Sequence, residues 1–350
     1  MIKNKDVVFI SNVLADGGAA RVICTLAEEF KKNGLDVGIA IYSRHEKEYS
    51  VSQGIDKEYC NARRGKLAKF KRIAWIRKIC KNNPKATIVP FEYFVNMQAI
   101  IASFGLGNRV VISERNDPAR VGSGPINNWV REIAYRHADM LVCQTNEAAA
   151  YFSEKVNKCV ILNPIKSGLP DPYFGPREPR VVSFCRLAKQ KNLEMLIQAF
   201  ALFSKSNPDY TLEIYGDGNE KDHLLALINS LNLAQRAHIY STRKNIHELI
   251  RKASMFVLPS DYEGLSNSML ESMAIGLPAI CTDCPCGGAR MVIQNRVNGL
   301  LVPVGDTEKL VEAMQELTEH NLQEQISEKE IETAAMLTPA RIAGQWLSLI

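Results

Sequence analysis

Short apolar runs alternate with helix-length segments along this chain, and one proline-rich stretch interrupts the alternation near its middle. Val7–Ser11, Asp36–Tyr42, Ala86–Pro90, Arg109–Ser113 and Met140–Gln144 read as strands in the first half. Val181–Cys185, Thr211–Tyr215, His238–Tyr240, Met255–Leu258 and Pro278–Thr282 do so in the second. Runs this short and this apolar suit strands covered on both faces, the condition of a parallel sheet with helices above and below. Between the two series, Asn163 to Pro179 holds five prolines and two glycines and can continue neither a helix nor a central strand. The pattern predicts an α/β chain of two doubly wound parallel-sheet Rossmann-like domains facing across a cleft. The expected boundaries are 1–165 for a first domain, 166–179 for the linker and 180–335 for a second domain. A closing helix, 336–350, is placed back on the first domain.

Composition narrows the function. At 350 residues the chain suits two domains, and no apolar run reaches the roughly 18–20 residues of a membrane span. Nine cysteines scattered through apparent strands and helices, after an N-terminus that runs straight into a strand, predict a reduced cytoplasmic protein. The net charge of +5 is unevenly placed: residues 1–165 carry 25 Lys+Arg against 16 Asp+Glu, while residues 166–350 carry 18 against 22. One half therefore faces something anionic. The stretch from Asn61 to Lys81 carries Arg63, Arg64, Lys66, Lys69, Arg72 and four more cations with no acid, beside Trp75. Leu67, Phe70, Ile73, Ile76 and Ile79 recur there at near-helical spacing. The plain reading is a solvated face over a core stripe. The missing acids favour a basic amphipathic helix on an anionic membrane, with Arg63, Arg64, Lys66, Lys69, Arg72 and Trp75 as contacts. Nucleic acid is disfavoured, because the segment lacks stacking platforms.

The chemistry concentrates in Phe256 to Glu271, a buried strand, a tight turn and a helix running to about Ile275. A strand feeding a helix N-terminus is where open sheets take ligands, and free N–H groups there suit a phosphate or sugar hydroxyl. Glu263 and Glu271 flank the turn. Ser268-x-x-Glu271 also fits a capping box, and spacing alone does not separate the two readings. Arg186 and Lys191 follow the second domain's first strand and form a reasonable diphosphate clamp. Gly17 and Gly18 follow the chain's first strand without a dinucleotide fingerprint, so they permit either a ligand's approach or a plain turn. Ser113-Glu114-Arg115-Asn116-Asp117-Pro118 ends another strand at a crevice position. Cys281, Cys284 and Cys286 have no second pair of ligands, so a loop is preferred over zinc.

Arg186-x4-Lys191, Gly216-Asp217-Gly218 and Glu263-x7-Glu271, together with Ala274-Ile275-Gly276-Leu277-Pro278 and Asn298-Gly299-Leu300-Leu301-Val302, resemble the retaining family-four glycosyltransferases of the GT-B fold. Gly17-Gly18-Ala19-Ala20-Arg21 and the Ser-Glu-Arg-Asn-Asp-Pro run resemble bacterial members that build capsule, O-antigen (lipopolysaccharide) or lipid-linked oligosaccharide. The resemblance implies transfer of a hexose or N-acetylhexosamine from a UDP-sugar to a glycan acceptor, lipid-linked, at the inner face of the cytoplasmic membrane. It implies catalysis by Glu263, Arg186, Lys191 and Glu114, the last standing where many members carry a His. Donor contacts fall on Gly17, Gly18, Arg186, Lys191, Gly216, Glu263, Gly264, Leu265, Ser266, Asn267 and Glu271. Glu271 would hold the ribose and Glu263 the reacting sugar. No metal and no resident cofactor are expected. The competing readings are a UDP-sugar epimerase of the same fold and a non-catalytic basic binding module.

Overall fold

The computed structural model describes residues 2–15, 17–60, 62, 67–122 and 124–350. Arg63, Arg64 and Lys66, three of the expected membrane contacts, lie outside the described residues. Two compact units form: Met1–Lys166 with Thr338–Ile350, and Ser167–Leu337.

In the first unit the elements are β1 (Val7–Ser11), α1 (Gly18–Lys32), β2 (Val37–Ile41), β3 (Asp56–Tyr59), α2 (Ala68–Asn82) and β4 (Thr87–Pro90). They continue with α3 (Tyr93–Ser103), β5 (Val111–Ser113), α4 (Pro125–Tyr135), β6 (Met140–Cys143), α5 (Asn146–Ala150) and β7 (Lys158–Val160). The strands pair in parallel as β3-β2-β1-β4 and β5-β6-β7. Parallel bridges Ile88–Val110 and Phe91–Ser113 join the two ladders. β1, β2 and β4 are buried throughout, which is why they read as continuous apolar runs.

The second unit holds β8 (Glu178–Phe184), α6 (Leu193–Ser206), β9 (Thr211–Tyr215), α7 (Lys221–Ser230), β10 (Ala237–Tyr240), α8 (Ile246–Ile250) and β11 (Ala253–Leu258). It ends with α9 (Asn267–Ala274), β12 (Ala279–Thr282), β13 (Leu300–Val302), α10 (Thr307–Glu316) and α11 (His320–Ala335). Its sheet is parallel in the order β10-β9-β8-β11-β12-β13. Numbered within the unit this is 3-2-1-4-5-6, the doubly wound order whose reversal falls between β8 and β11. Phe200, Phe203, Leu212, Ile214, Met255, Val257 and Ile280 pack its core.

β3 and β7 were not expected. Both close sheet edges, and their half-exposed sequences, Asp-Lys-Glu-Tyr and Lys-Cys-Val, carry no apolar alternation. α11 was also missed, because its buried face includes Gln323, Ser327 and Glu330. Glu330 accepts the Ala279 N–H at 2.8 Å and so ties α11 to the start of β12.

The last helix, α12 (Pro339–Leu347), belongs to the first unit. Thr338 caps it through the Arg341 N–H, and Pro339 sits at its first turn, where the missing N–H costs nothing. Trp346 is fully buried and stacks on Phe91 at 5.8 Å between ring centroids. The Arg115 guanidinium lies over both rings, 4.3 Å from Phe91 and 5.4 Å from Trp346. Trp346→Ala is therefore expected to destabilise the first unit by about 3–5 kcal/mol. Urea unfolding followed by near-UV dichroism checks this, and a change below about 1 kcal/mol would mean that the helix contributes little.

Candidate active site

At the carboxyl end of β8 the chain turns through Cys185, Arg186 and Leu187 into a short 3-10 turn, Lys189–Lys191. Asn192 follows in the left-handed region, φ 42°, and its side chain caps α6 by accepting the Met195 N–H. That backbone choice suits Asn, which tolerates positive φ and bonds its own turn. The turn leaves Arg186 exposed and Lys191 buried. At the neighbouring end of β11, Ser260 to Ser266 leads into α9.

The two ends are stitched together. The Asp261 N–H donates to the Gln190 carbonyl at 2.9 Å, Gln190 Nε2 donates to the Tyr262 carbonyl at 2.8 Å, and Asn192 Nδ2 donates to Asp261 Oδ1 at 2.7 Å. These bonds bring Lys191 Nζ onto Glu263 Oε2, which also accepts from Ser260 Oγ at 3.3 Å. Burial opposes the charge on Lys191, and the Glu263 carboxylate more than reverses this, so its pKa rises above the usual lysine value. Lys191 is thus a buried, fully charged cation beside a carboxylate. Glu263, Gly264 and Ser266 line a small recess with Ser260 and Thr282.

Glu271 is almost fully buried, and its Oε2 lies 2.8 Å from His247 Nε2. His247 comes from α8 and packs edge-on against Phe184 of β8 at 5.6 Å. The capping-box reading fails, because α9 starts at Asn267 with Ser266 at its N-cap, which makes Ser268 a helical residue. His247 is the partner that sequence reading missed, since nothing in Ile-His-Glu-Leu-Ile marks it. Leu265 and Ser266 are buried beside the N-terminus of α9, whose dipole carries partial positive charge.

Two glycines serve close approach of backbones. A Cβ at Gly216 would meet the Cys185 carbonyl at 2.0 Å, and one at Gly288 would meet the Gly264 carbonyl at 1.6 Å. Packing against the Cys185 loop is thus by itself enough to require a glycine at Gly216. The second contact holds the loop after β12 against the Glu263–Gly264 turn. Cys284 in that loop donates its S–H to the Ser260 carbonyl at 3.1 Å, and burial raises its thiol to about 11. Burial likewise holds Cys281 well above the usual thiol value. Both are therefore protonated packing groups at neutral pH. Among the described residues, the cluster whose ligand atoms converge is Glu194, Glu220 and His223, away from these cysteines.

In the first unit, Gly17 is the N-cap of α1 and Gly18 its first residue. A Cβ on Gly17 would have no neighbour closer than the Ala15 carbonyl at 3.9 Å, so packing does not demand a glycine there. Glu114 departs from its expected catalytic position. It follows β5, is 2% exposed, and accepts a hydrogen bond from the Tyr135 hydroxyl, which in turn accepts from Asn96 Nδ2 at 3.2 Å. Its partners lie inside the unit, so it orders the core instead of meeting a substrate. The membrane contacts expected on α2 divide. Lys69 is exposed, but Arg72 lies over the Tyr42 ring at 4.6 Å and Trp75 donates to Glu58 at 3.2 Å. Arg72 and Trp75 are thus spent on the unit's own surface. Phe70, which the plain core-stripe reading would bury, is 71% exposed.

The cation–carboxylate site of the second unit lies where open parallel sheets take ligands, and the comparisons specify the class of protein. Residues 173–333 match the family model described as glycosyl transferases group 1. The chain is 28% identical over 327 residues to the N-acetylgalactosamine-N,N'-diacetylbacillosaminyl-diphospho-undecaprenol 4-alpha-N-acetylgalactosaminyltransferase of Campylobacter jejuni, covering 87% of this chain and 88% of that one. It is 25% identical over 362 residues to the amylovoran biosynthesis glycosyltransferase AmsD of Erwinia amylovora, covering 99% of each. Anabaena Alr3699/HepE, solved in complex with UDP and glucose, superposes with a TM-score of 0.83 at 18% identity over 98% of each chain. Residues 173–333 thus carry a group 1 glycosyltransferase domain, and the chain is a glycosyltransferase with the GT-B fold.

Burial raises the Glu114 carboxyl to about 7, although Tyr135 and Arg131 pull it back. A carboxyl whose folded pKa lies above its unfolded value stabilises the fold fully below the unfolded pKa. That contribution is lost as pH rises through the folded pKa. Stability of the first unit is therefore expected to fall by on the order of 3 kcal/mol between about pH 4.5 and pH 7, with a flatter profile in Glu114→Gln. Urea titrations across this range read the slope, and identical profiles for the two proteins would refute the assignment.

Proposed function

We propose that this glycosyltransferase moves a hexose or N-acetylhexosamine from a UDP-sugar to a lipid-linked glycan acceptor, with retention at the anomeric carbon. The setting is surface polysaccharide synthesis on the inner face of the cytoplasmic membrane. The observation that carries the reading is the contact of Lys191 with Glu263 at the β8/β11 reversal, with Arg186 two residues after β8. The names of the relatives support the rest. The Campylobacter enzyme is named for an undecaprenol-linked acceptor, and the Anabaena structure holds UDP and glucose.

Lys191 and Arg186 would receive the donor's diphosphate, and Glu271, oriented by His247, would hold the ribose hydroxyls. Glu263 would face the sugar. Lys191 is already charged, because Glu263 keeps it so, and a diphosphate would draw on that charge without reorganising the site. In the transfer, the acceptor hydroxyl oxygen bonds to the anomeric carbon on the face the diphosphate leaves. The bond from that carbon to the phosphate oxygen breaks, and the acceptor's proton passes to the departing phosphate. Negative charge grows on the diphosphate as the bond lengthens, where Arg186 and Lys191 bind it more strongly than in the ground state. The held Lys191 and the nearby Arg186 would take up that charge without a metal, so turnover is expected to persist in a chelator. Acceptor binding is assigned to the first unit.

Lys191→Ala and Glu263→Gln are each expected to lower single-turnover release of labelled UDP by about 10²–10³-fold, and also to lower the melting temperature, because each leaves its buried partner uncompensated. Undiminished turnover in both variants would overturn the site assignment. An inverted linkage in the product would overturn retention.

A further inference from the structure

α4 is built inside out. Its inward face is polar: Arg131 is fully buried and donates to the Pro118 and Val121 carbonyls at 2.8 and 3.0 Å, and Tyr135 donates to Glu114. Its outward face is apolar. Ile126, Trp129, Val130 and Ile133 are all exposed, Ile126 by 77% and Trp129 by 66%. They fall at i, i+3, i+4 and i+7, a single stripe along the helix. A helix that buries an arginine while showing water a tryptophan and three branched aliphatics has a surface meant to be covered.

The patch extends beyond one helix. α3 packs between α2 and α4, and Phe94 and Ile101 on it, with Phe104 just past its end, are exposed. The Phe104 ring meets His137 edge-on at 6.3 Å, just past the end of α4, and Arg77 of α2 donates to the Phe104 carbonyl at 2.8 Å. The surroundings are cationic. Residues 68–135 carry 11 Lys+Arg against 4 Asp+Glu. Lys69, Lys71, Lys78 and Lys81 are exposed on α2, and Arg120 and Arg136 flank α4.

We infer that the α4 stripe is a membrane-insertion face, which seats Trp129 at the headgroup level of an anionic leaflet while the lysines of α2 engage its phosphates. An apolar stripe containing tryptophan and bordered by cations is the pattern of a helix lying in a bilayer interface. A tryptophan has an apolar body and a polar N–H, which suits that depth. A protein partner would explain the apolar stripe but not the excess of cations around it. The inference rests on the proposed lipid-linked acceptor, since such a face would hold the enzyme where that acceptor lies. It also reassigns the membrane contact: insertion belongs to α4, and α2 contributes charge.

The test is flotation of the full chain with vesicles of phosphatidylethanolamine, phosphatidylglycerol and cardiolipin, set against neutral phosphatidylcholine vesicles. Wild type is expected to float with the anionic vesicles. The triple variant Ile126→Ser, Trp129→Ser, Ile133→Ser alters exposed positions only, and is expected to bind about 10-fold or more weakly with an unchanged melting temperature. Lys69→Gln, Lys71→Gln, Lys78→Gln is expected to remove most of the salt dependence while leaving residual binding. Lipids brominated on the acyl chain should quench wild-type fluorescence, and Trp129→Phe should abolish that quenching. Equal flotation by wild type and the Ile126/Trp129/Ile133 variant would overturn the inference, as would absence of quenching. So would a wild-type dimer in buffer that the variant converts to monomer, because a second copy would then cover the face. Calorimetric titration with UDP separates the two levels. Unchanged UDP affinity in the non-floating variant supports docking alone, whereas wild type that floats but binds no UDP would refute the donor site and leave docking standing.

Discussion

A parallel sheet wound outward in both directions from one pair of strands sends its crossover helices to opposite faces, and the strand ends at that pair are left uncovered by either connection. In the second unit the pair is β8 and β11, and the site is made from the two chain segments that leave them. Arg186 and Lys191 come from one, and Glu263 and Glu271 from the other. Residues over 70 positions apart in the chain meet because the strand order reverses here, and the bonds among Gln190, Asn192, Asp261 and Tyr262 set the spacing between the segments.

Burial then gives this arrangement its electrostatic character. A lysine taken from water loses its proton unless a carboxylate compensates, and Glu263 does so for Lys191. The site therefore carries a cation in place before a ligand's charge arrives, which is the condition for electrostatic catalysis without reorganisation. The buried glutamates of the rest of the molecule follow other logic. Glu330 accepts a backbone N–H, and Glu114 a tyrosine hydroxyl, and burial pushes both toward the protonated form. Chemically identical side chains thus act as a site carboxylate and as packing groups, with the difference made by whether a cation bonds the carboxylate directly.

Burial also accounts for the outward apolar face of α4, which the sequence does not reveal although it reads as a helix around Trp129–His137. Helical periodicity reports which residues share a face and is silent about which face points inward. For most helices the apolar face goes in, and that assumption worked for the buried apolar positions of α1 and α6. It failed for Leu67 and Phe70 at the start of α2, and reversed for α4, where Arg131 satisfies two loop carbonyls that water would otherwise have to reach. Glu114 failed for a related reason: a carboxylate at a strand's end is a fair site candidate until a tyrosine from another helix is found bonded to it.

What the sequence determined by itself was the material of the fold and of the donor site. The α/β alternation comes from runs whose burial on both faces leaves a readable apolar signature; Arg186, Lys191 and Glu263 stand in the connections that punctuate those runs, and Glu271 on the helix that follows. The edge strands β3 and β7 stayed hidden, since a half-exposed strand carries no such signature. Only the tertiary structure decided pairing and direction: that Lys191 is held by Glu263, that Glu271 answers to His247 and not to a helix cap, and that α4 turns its apolar face outward. Each of these depends on contacts between residues distant in sequence. Such contacts are set by strand order and packing, which local periodicity does not encode.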